Sequence, residues 1–191
     1  MMNSLEASGY HVLWRLLDSL EYAAVPQRRL RVYIVGFRKD KMSGAPQWPD
    51  PVPHRPLSKV LENNLPRSDV GSLSKTYLRN LCEATAELSS LTFVPDKSVA
   101  DITTGKTDGI AIRYGYLPTI TKSRATPGFW FLRWERFAVL EEIAQCQGFR
   151  KGEITIPPGI SDHQVKQMIG NAFAVGMLER LFEEFSPRIG F

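Results

Sequence analysis

The stretch AVPQRRLRVYIVGFR, residues 24–38, decides how this chain is read. Its second half, Arg31 to Phe37, gathers the β-branched and aromatic residues Val32, Tyr33, Ile34, Val35 and Phe37, the composition of a well-buried strand. Its first half sets Gln27, Arg29 and Arg31 at the mouth of that strand. Side chains two residues apart on a strand leave on the same side, so the two guanidinium groups emerge together, where they can grip a phosphate or the polar edge of a base. A solvated basic edge that protects a strand from stray pairing has the same appearance, and the residues alone leave both readings open. Upstream, His11 to Leu17 reads as a second strand, joined through the polar, proline-containing link DSLEYAAVPQRRL. Two strands with apolar faces are not stable alone, so the pair is expected at one side of a larger sheet.

The rest of the composition bounds what that sheet can belong to. With 191 residues, 43% of them hydrophobic, the chain suits one globular domain, or a piece of a larger one with a small appendage, and is not a disordered tail. Twenty-four Lys and Arg against 20 Asp and Glu leave a net charge of +4, which permits an anionic partner without requiring one. Cys82 and Cys146 stand far apart with no CxxC pair, and His11, His54 and His163 are scattered, so neither a disulfide framework nor a metal site is expected. The start has no basic region leading into a long apolar run, and no segment approaches a membrane span. The expectation is an intracellular protein with no membrane association.

Residues 38 to about 128 hold most of the punctuation, with the proline-rich APQWPDPVPHRPL mostly extended. A short helix is expected from Leu57 to Asn63 and a longer one from Ser72 to Leu88, where Leu73, Tyr77, Leu81, Ala84 and Leu88 recur on one face. Two helices are expected to close the chain. Phe137, Leu140, Ile143 and Ala144 line the first, which Gly148 can end in a left-handed conformation. Ser161 and Gln164 stand at capping-box spacing at the start of the second, followed by Val165, Ile169, Ala172, Leu178, Leu181 and Phe185.

Three segments in order carry a resemblance. Residues 24–38, with Gln27, Arg29 and Arg31, are similar to motif VIII of the DNA (cytosine-5) methyltransferases. LPTITKSRATPGFWFLRWERFAVLEEIAQCQGF, residues 117–149, resembles the end of the family's target-recognition region and motif IX, with Arg136, Glu142, Gly148 and Phe149 in place. SDHQVKQMIGNAFAVGMLERLF, residues 161–182, resembles motif X around Gly170 and Asn171, and PDPVPHRPLSKVLEN, residues 49–63, looks like the entry to the variable region. Two departures stand out: Ala138 and Val139 replace the usual Leu-Thr of motif IX, and Ala24 stands where glycine is common.

The resemblance implies an α/β fold: the C-terminal portion of a Rossmann-like methyltransferase sheet, two terminal strands plus the C-terminal helix, with a small irregular recognition domain. Residues 1–38 would be the terminal strands with motif VIII, 39–128 the recognition region, and 129–191 the motif IX and X helices returning to the methyltransferase domain. It implies transfer of methyl from S-adenosylmethionine to carbon 5 of cytosine in double-stranded DNA, inside a cell and in the nucleus if the cell is eukaryotic. Arg29 and Arg31 would lie at the flipped cytosine and its flanking phosphates, Gln27 would shape that wall, and Asn171 and Ala172 would lie beside the methionine part of the cofactor. Lys106, Arg113, Lys122, Ser123 and Arg124 fall in or beside the recognition region and suit either DNA-backbone contact or loop solubility. Trp130 and Trp134 can stack on bases, though aromatics beside a helix entry more often belong to a core. Glu142 reads as an ion-pair partner of Arg136.

The family's chemistry needs a glycine-rich cofactor loop, a Pro-Cys nucleophile and a Glu-Asn-Val carboxylate, and none occurs in this sequence. Neither Cys82 nor Cys146 follows a proline, and both read as small buried hydrophobes. The expectation is therefore a fragment or split subunit that acts with a second chain bearing the missing motifs; the alternative is a non-catalytic DNA-binding or regulatory relic. An unrelated α/β protein would not return its last helix beside the first two strands. If the other half is absent, strands 11–37 and helix 161–185 would both leave apolar faces uncovered.

Overall fold

The computed structural model describes residues 2–90, 98–103, 112–125 and 128–189. A short helix α1 (Met2–Ala7) leads into strand β1 (Tyr10–Asp18), a one-turn helix α2 (Ser19–Tyr22) and strand β2 (Leu30–Arg38). β1 and β2 pair antiparallel from Tyr10↔Arg38 to Asp18↔Leu30, forming a two-stranded sheet. The link between them is more ordered than its polar composition suggests, because Asp18 organises it. The carboxylate of Asp18 accepts from the Leu20 amide at 3.2 Å, capping α2, and from the Arg29 amide at 2.9 Å, and pairs with Arg28 Nε at 3.2 Å.

Beyond β2 the chain runs through the proline-rich segment to α3 (Lys75–Ser89), capped by Ser74. Strands β3 (Ser98–Ala100), β4 (Ile112–Tyr114), β5 (Trp130–Phe131) and β6 (Arg136–Phe137) then form a four-stranded sheet in the order β4-β3-β5-β6. This sheet draws strands from both sides of residue 128. Ala84 and Leu88 of α3 pack on it with Ala100, Ile102, Ile112 and Trp130. Helices α4 (Leu140–Cys146), α5 (Asp162–Asn171) and α6 (Val175–Phe185) follow.

Three sequence expectations are corrected. Leu57 to Asn63 forms only a single 3-10 turn, Leu57–Lys59. Leu57, Val60 and Leu61 are buried in the central core, and the next residue is captured sideways: the Glu62 amide donates to Glu142 Oε1 at 2.9 Å and its carbonyl accepts from Arg136 Nη2 at 2.9 Å. Phe137 is not on α4 but on β6, opposite Trp130. α4 starts after Val139, whose amide is bonded by Glu142 Oε2 at 3.0 Å; Val139 has no side-chain oxygen, so Glu142 supplies the only side-chain half of the cap. The helix ends as expected at Gly148, φ +102°, with Gly148 N bonded to Gln145 O and Phe149 N to Ala144 O.

The third correction concerns the last helix, which is two. Asn171 ends α5, and Ala172 and Ala174 are extended. Gln147 holds the corner open: its side-chain Nε2 donates to Ala172 O at 2.7 Å and its carbonyl accepts from Val175 N at 2.9 Å. These bonds take the groups that a continuous helix would use internally.

α6 does return to the first two strands. Met177, Leu181 and Phe185 pack on Leu17, Tyr33 and Phe37, the inner face of the β1–β2 ribbon, with Phe185 edge-on to Phe37. The apolar face of α6 is therefore covered, contrary to expectation, but the outer face of the ribbon is not. Trp14 opposite Ile34 and Leu16 opposite Val32, with Leu30 beside them, are 41–57% exposed.

Candidate functional site

An open cleft of about 590 Å³ lies where β2 begins, lined by Arg29, Arg31, the Thr121–Ser123 turn, and Gln167, Gly170 and Asn171 of α5. Each wall has an identifiable support. Arg29 is 8% exposed, and its Nη1 donates to the carbonyls of Ile120 and, at 3.4 Å, Gly170. Arg31 stands exposed beside it, with Nη1 on the carbonyl of Leu30 at 2.7 Å. Burial, and then the neighbouring Arg31 charge, hold the Arg29 guanidinium below its usual basicity, while Tyr33 acts weakly in the opposite sense. Two cations held close with one largely desolvated favour an incoming anion, which relieves their repulsion.

Gln27 does not line the cleft; it holds the wall from behind. Fully buried, its Oε1 accepts from the Ile120 amide at 3.1 Å, and its Nε2 donates to Cys146 O at 3.3 Å and to Gln147 Oε1. With Gln147 passing the chain on to Ala172 O, a continuous run of amides joins the Thr121 side of the cleft to the α5–α6 corner. Gly170 lets α5 close on that wall. A Cβ there would stand 2.5 Å from the Thr121 carbonyl carbon and 2.6 Å from Lys122 N.

The remaining sequence candidates are dispersed. Lys122, Ser123 and Asn171 stand with the two arginines in the cleft, while Ala172 lies one residue beyond it, half-buried, its carbonyl engaged by Gln147. Arg113 is on β4, its Nη1 on the carbonyl of Ile112. Arg124 turns away, with Nε 3.2 Å from Asp101, a carboxylate 1% exposed. Lys106 lies outside the described residues. Arg136 and Glu142 form a two-pronged pair at 2.8 and 2.7 Å, 2% and 0% exposed. Phe149, after Gly148, packs against the central core. Trp130 is buried, and Trp134 is partly buried against Phe131, so both serve the core.

Cys146 is buried and its thiol is pushed far up by desolvation, which opposes formation of a thiolate. Cys82 is exposed on α3, a correction to the expected burial. Among the described residues no group of three or more His, Cys, Asp or Glu could hold a metal ion, and no helix is long and apolar enough to cross a membrane. Sequence reading missed Asp18, Thr121, Gln147 and Gln167. Gln147 could have been noticed, since a glutamine between an apolar helix and Gly148 has no obvious surface role.

The family model for C-5 cytosine-specific DNA methylase matches residues 1–186. The chain belongs to that family. Among curated methylases of the same kind, it is 26% identical over 185 residues to the type II methyltransferase M.NgoBI of Neisseria gonorrhoeae, covering 94% of this chain and 52% of that protein. It is 33% identical over 66 residues to the type II methyltransferase M.Bsp6I of a Bacillus species, covering 35% of this chain and 20% of the relative. This methylase chain thus spans about half the length of M.NgoBI. Its fold is similar to the Entamoeba histolytica methyltransferase EhMeth (TM-score 0.56, 19% identity, 96% of this chain and 57% of that one) and to S. pombe Dnmt2 methyltransferase (0.57, 13%, 97% and 61%). The α/β methyltransferase-like fold expected from the sequence is shown by these likenesses.

Proposed function

We propose that this chain is the DNA-recognition and C-terminal half of a cytosine-5 DNA methyltransferase: the closing strands of a Rossmann-like sheet with a small recognition domain. The observation that carries this reading is the cleft itself, where Arg29, Arg31, Lys122 and the hydroxyls of Thr121 and Ser123 converge on a space with no carboxylate in its lining. That set suits a DNA phosphate beside a displaced cytosine. Arg113 is a further backbone contact on the recognition sheet, and Arg124 serves the cleft indirectly by anchoring the Thr121–Ala125 turn to Asp101.

Asn171 is exposed at the far end of the cleft, and its carboxamide makes no hydrogen bond among the described residues. It fits the polar amino-acid end of S-adenosylmethionine, with Ala172 contributing apolar contact. When bound, that cofactor supplies an electrophilic methyl group. This chain's residues would orient it and hold the DNA; the nucleophile, the carboxylate and the adenosine site would come from a second body. The exposed outer face of the β1–β2 ribbon supports such a second body, since contiguous exposed apolar surface marks an interaction site.

Two measurements test this. Duplex DNA should bind at low salt, and Arg29→Ala with Arg31→Ala should flatten the slope of log K against log salt by about 1.8, at roughly 0.9 per phosphate contact. An unchanged slope would overturn the assignment. Labelled S-adenosylmethionine should be retained only with a partner carrying the Pro-Cys and Glu-Asn-Val motifs; DNA binding without uptake under either condition would favour the non-catalytic relic.

A further inference from the structure

A second cleft, of about 160 Å³, lies between the Ala23–Val25 turn, the end of α4 and the start of α6. Its lining differs in kind from the first. Gln145 is 4% exposed, yet its carboxamide makes no hydrogen bond among the described residues, and it faces this space. Its amide atoms are not sealed from solvent, so they are free to bond a polar occupant of the cleft.

The first turn of α6 supplies a second donor. This eleven-residue helix begins after Ala174, which has no capping side chain, and no acidic residue stands in its first turn. Val175 N is taken by Gln147 O, and Met177 N and Leu178 N by Ala174 O, which leaves the Gly176 amide without an acceptor on the cleft wall. The wall is this close only because of its glycines. A Cβ on Gly176 would stand 2.4 Å from Ala23 O, and one on Gly148 would stand 3.1 Å from Gly176 N.

Arg55 and Arg150 flank the opening. Neither forms an ion pair with a carboxylate among the described residues, and Arg55 uses one guanidinium nitrogen on Lys59 O at 2.9 Å. Glu179, exposed at the rim, is the only negative group in the lining. An uncapped helix end, the Gln145 carboxamide and two guanidinium groups line one small cleft, a donor set that suits the several oxygens of a phosphate.

We infer that this cleft is a phosphate-binding site, separate from the Arg29–Arg31 cleft, that takes either free phosphate or a phosphate of a nucleic-acid backbone. Its test follows the Gly176 amide resonance of the full chain. Inorganic phosphate should shift it with a Kd on the order of 1 mM. Arg150→Ala should weaken that binding roughly tenfold, and Glu179→Gln should tighten it about threefold, by removing an opposing charge. Both residues are exposed, so neither change threatens folding.

The titration repeated in Arg29→Ala/Arg31→Ala separates the two clefts. A retained shift establishes the second site even if DNA recognition at the first fails; a shift lost with those arginines overturns the inference. A response to short duplex DNA but not to inorganic phosphate identifies a backbone phosphate as the source. No response to either, or a response indifferent to both Arg150→Ala and Glu179→Gln, overturns it as well.

Discussion

Replacing Glu142 by alanine should remove a large part of this domain's stability. Its carboxylate, fully buried, accepts four hydrogen bonds: two from Arg136 at 2.7 and 2.8 Å, and one each from the amides of Glu62 at 2.9 Å and Val139 at 3.0 Å. Alanine strands a guanidinium that is 2% exposed, and breaking a buried pair from one side costs about 3–5 kcal/mol. The two orphaned amides would add about 1–3 kcal/mol each if nothing relaxed, but the alanine cavity admits water, so the expected total is about 4–5 kcal/mol. Against a typical stability of about 5–15 kcal/mol, that leaves the chain near unfolding at 37 °C. Urea titration reads it as a lower midpoint at an unchanged slope. The double variant Arg136→Met/Glu142→Leu should be less damaged than Glu142→Ala, because no buried charge is left alone. A single-variant loss below about 1 kcal/mol, or a double variant worse than the single, would refute this account of the pair.

Four further outcomes are expected. Gly170→Ala should force the Thr121–Lys122 backbone away, lower the stability read by urea titration by about 3 kcal/mol, and weaken DNA binding of the folded protein at the first cleft roughly tenfold; unchanged binding would show that the close approach is immaterial. Gln147→Met keeps volume but breaks the amide run from Ile120 to Ala172, and should cost about 2–3 kcal/mol with faster hydrogen exchange at Ile120 and Val175. Ala24→Gly relieves a left-handed alanine, φ +53°, and should stabilise by about 0.5–1 kcal/mol in thermal melts after the added freedom of the unfolded chain is discounted. Lys166, half-buried, has its ammonium held below its ordinary basicity by desolvation, against the opposing pull of Asp162 and Glu142. The unfolded chain therefore binds the proton more tightly, and stability should rise as pH passes from the lowered folded value up to about 10.5. Lys166→Met should remove that rise from the urea midpoints, and an identical profile would contradict it.

What could be read from the sequence follows from how local the determining forces are. The β1–β2 strands, the Gly148 stop and the Ser161–Gln164 cap were legible because each depends on residues within a few positions of one another. The two failures at the Leu57 turn and at the last helix came from a side chain distant in sequence taking over a backbone group. Glu142 and Arg136 captured Glu62 and kept the turn at Leu57 from extending, and Gln147 captured both sides of the α5–α6 corner. Helical periodicity ran unbroken through that corner, since apolar spacing records which side faces a core but not whether the backbone between is continuous. Arg124 was legible as a basic loop residue and not as the partner of Asp101, 23 positions upstream.

The same division explains the site. Arg29 and Arg31 are recognisable because two adjacent same-side positions on one strand are a local pattern, whereas the wall they face comes from residues 121–123 and 167–171. Its distance from the strand is set by the absence of a side chain at Gly170 and by the buried glutamines 27 and 147. The ribbon adds a further step. Its inner face reads as apolar and is covered by α6; its outer face reads as equally apolar and is bare. Alternation of apolar and polar residues marks a strand with one wet face, and β2 lacks it: Leu30, Val32 and Ile34 point out while Tyr33, Val35 and Phe37 point in. Such a run belongs to a strand covered on both faces. The bare side is therefore the face at which the proposed second body would dock, opposite the face that carries Tyr33, Phe37 and α6.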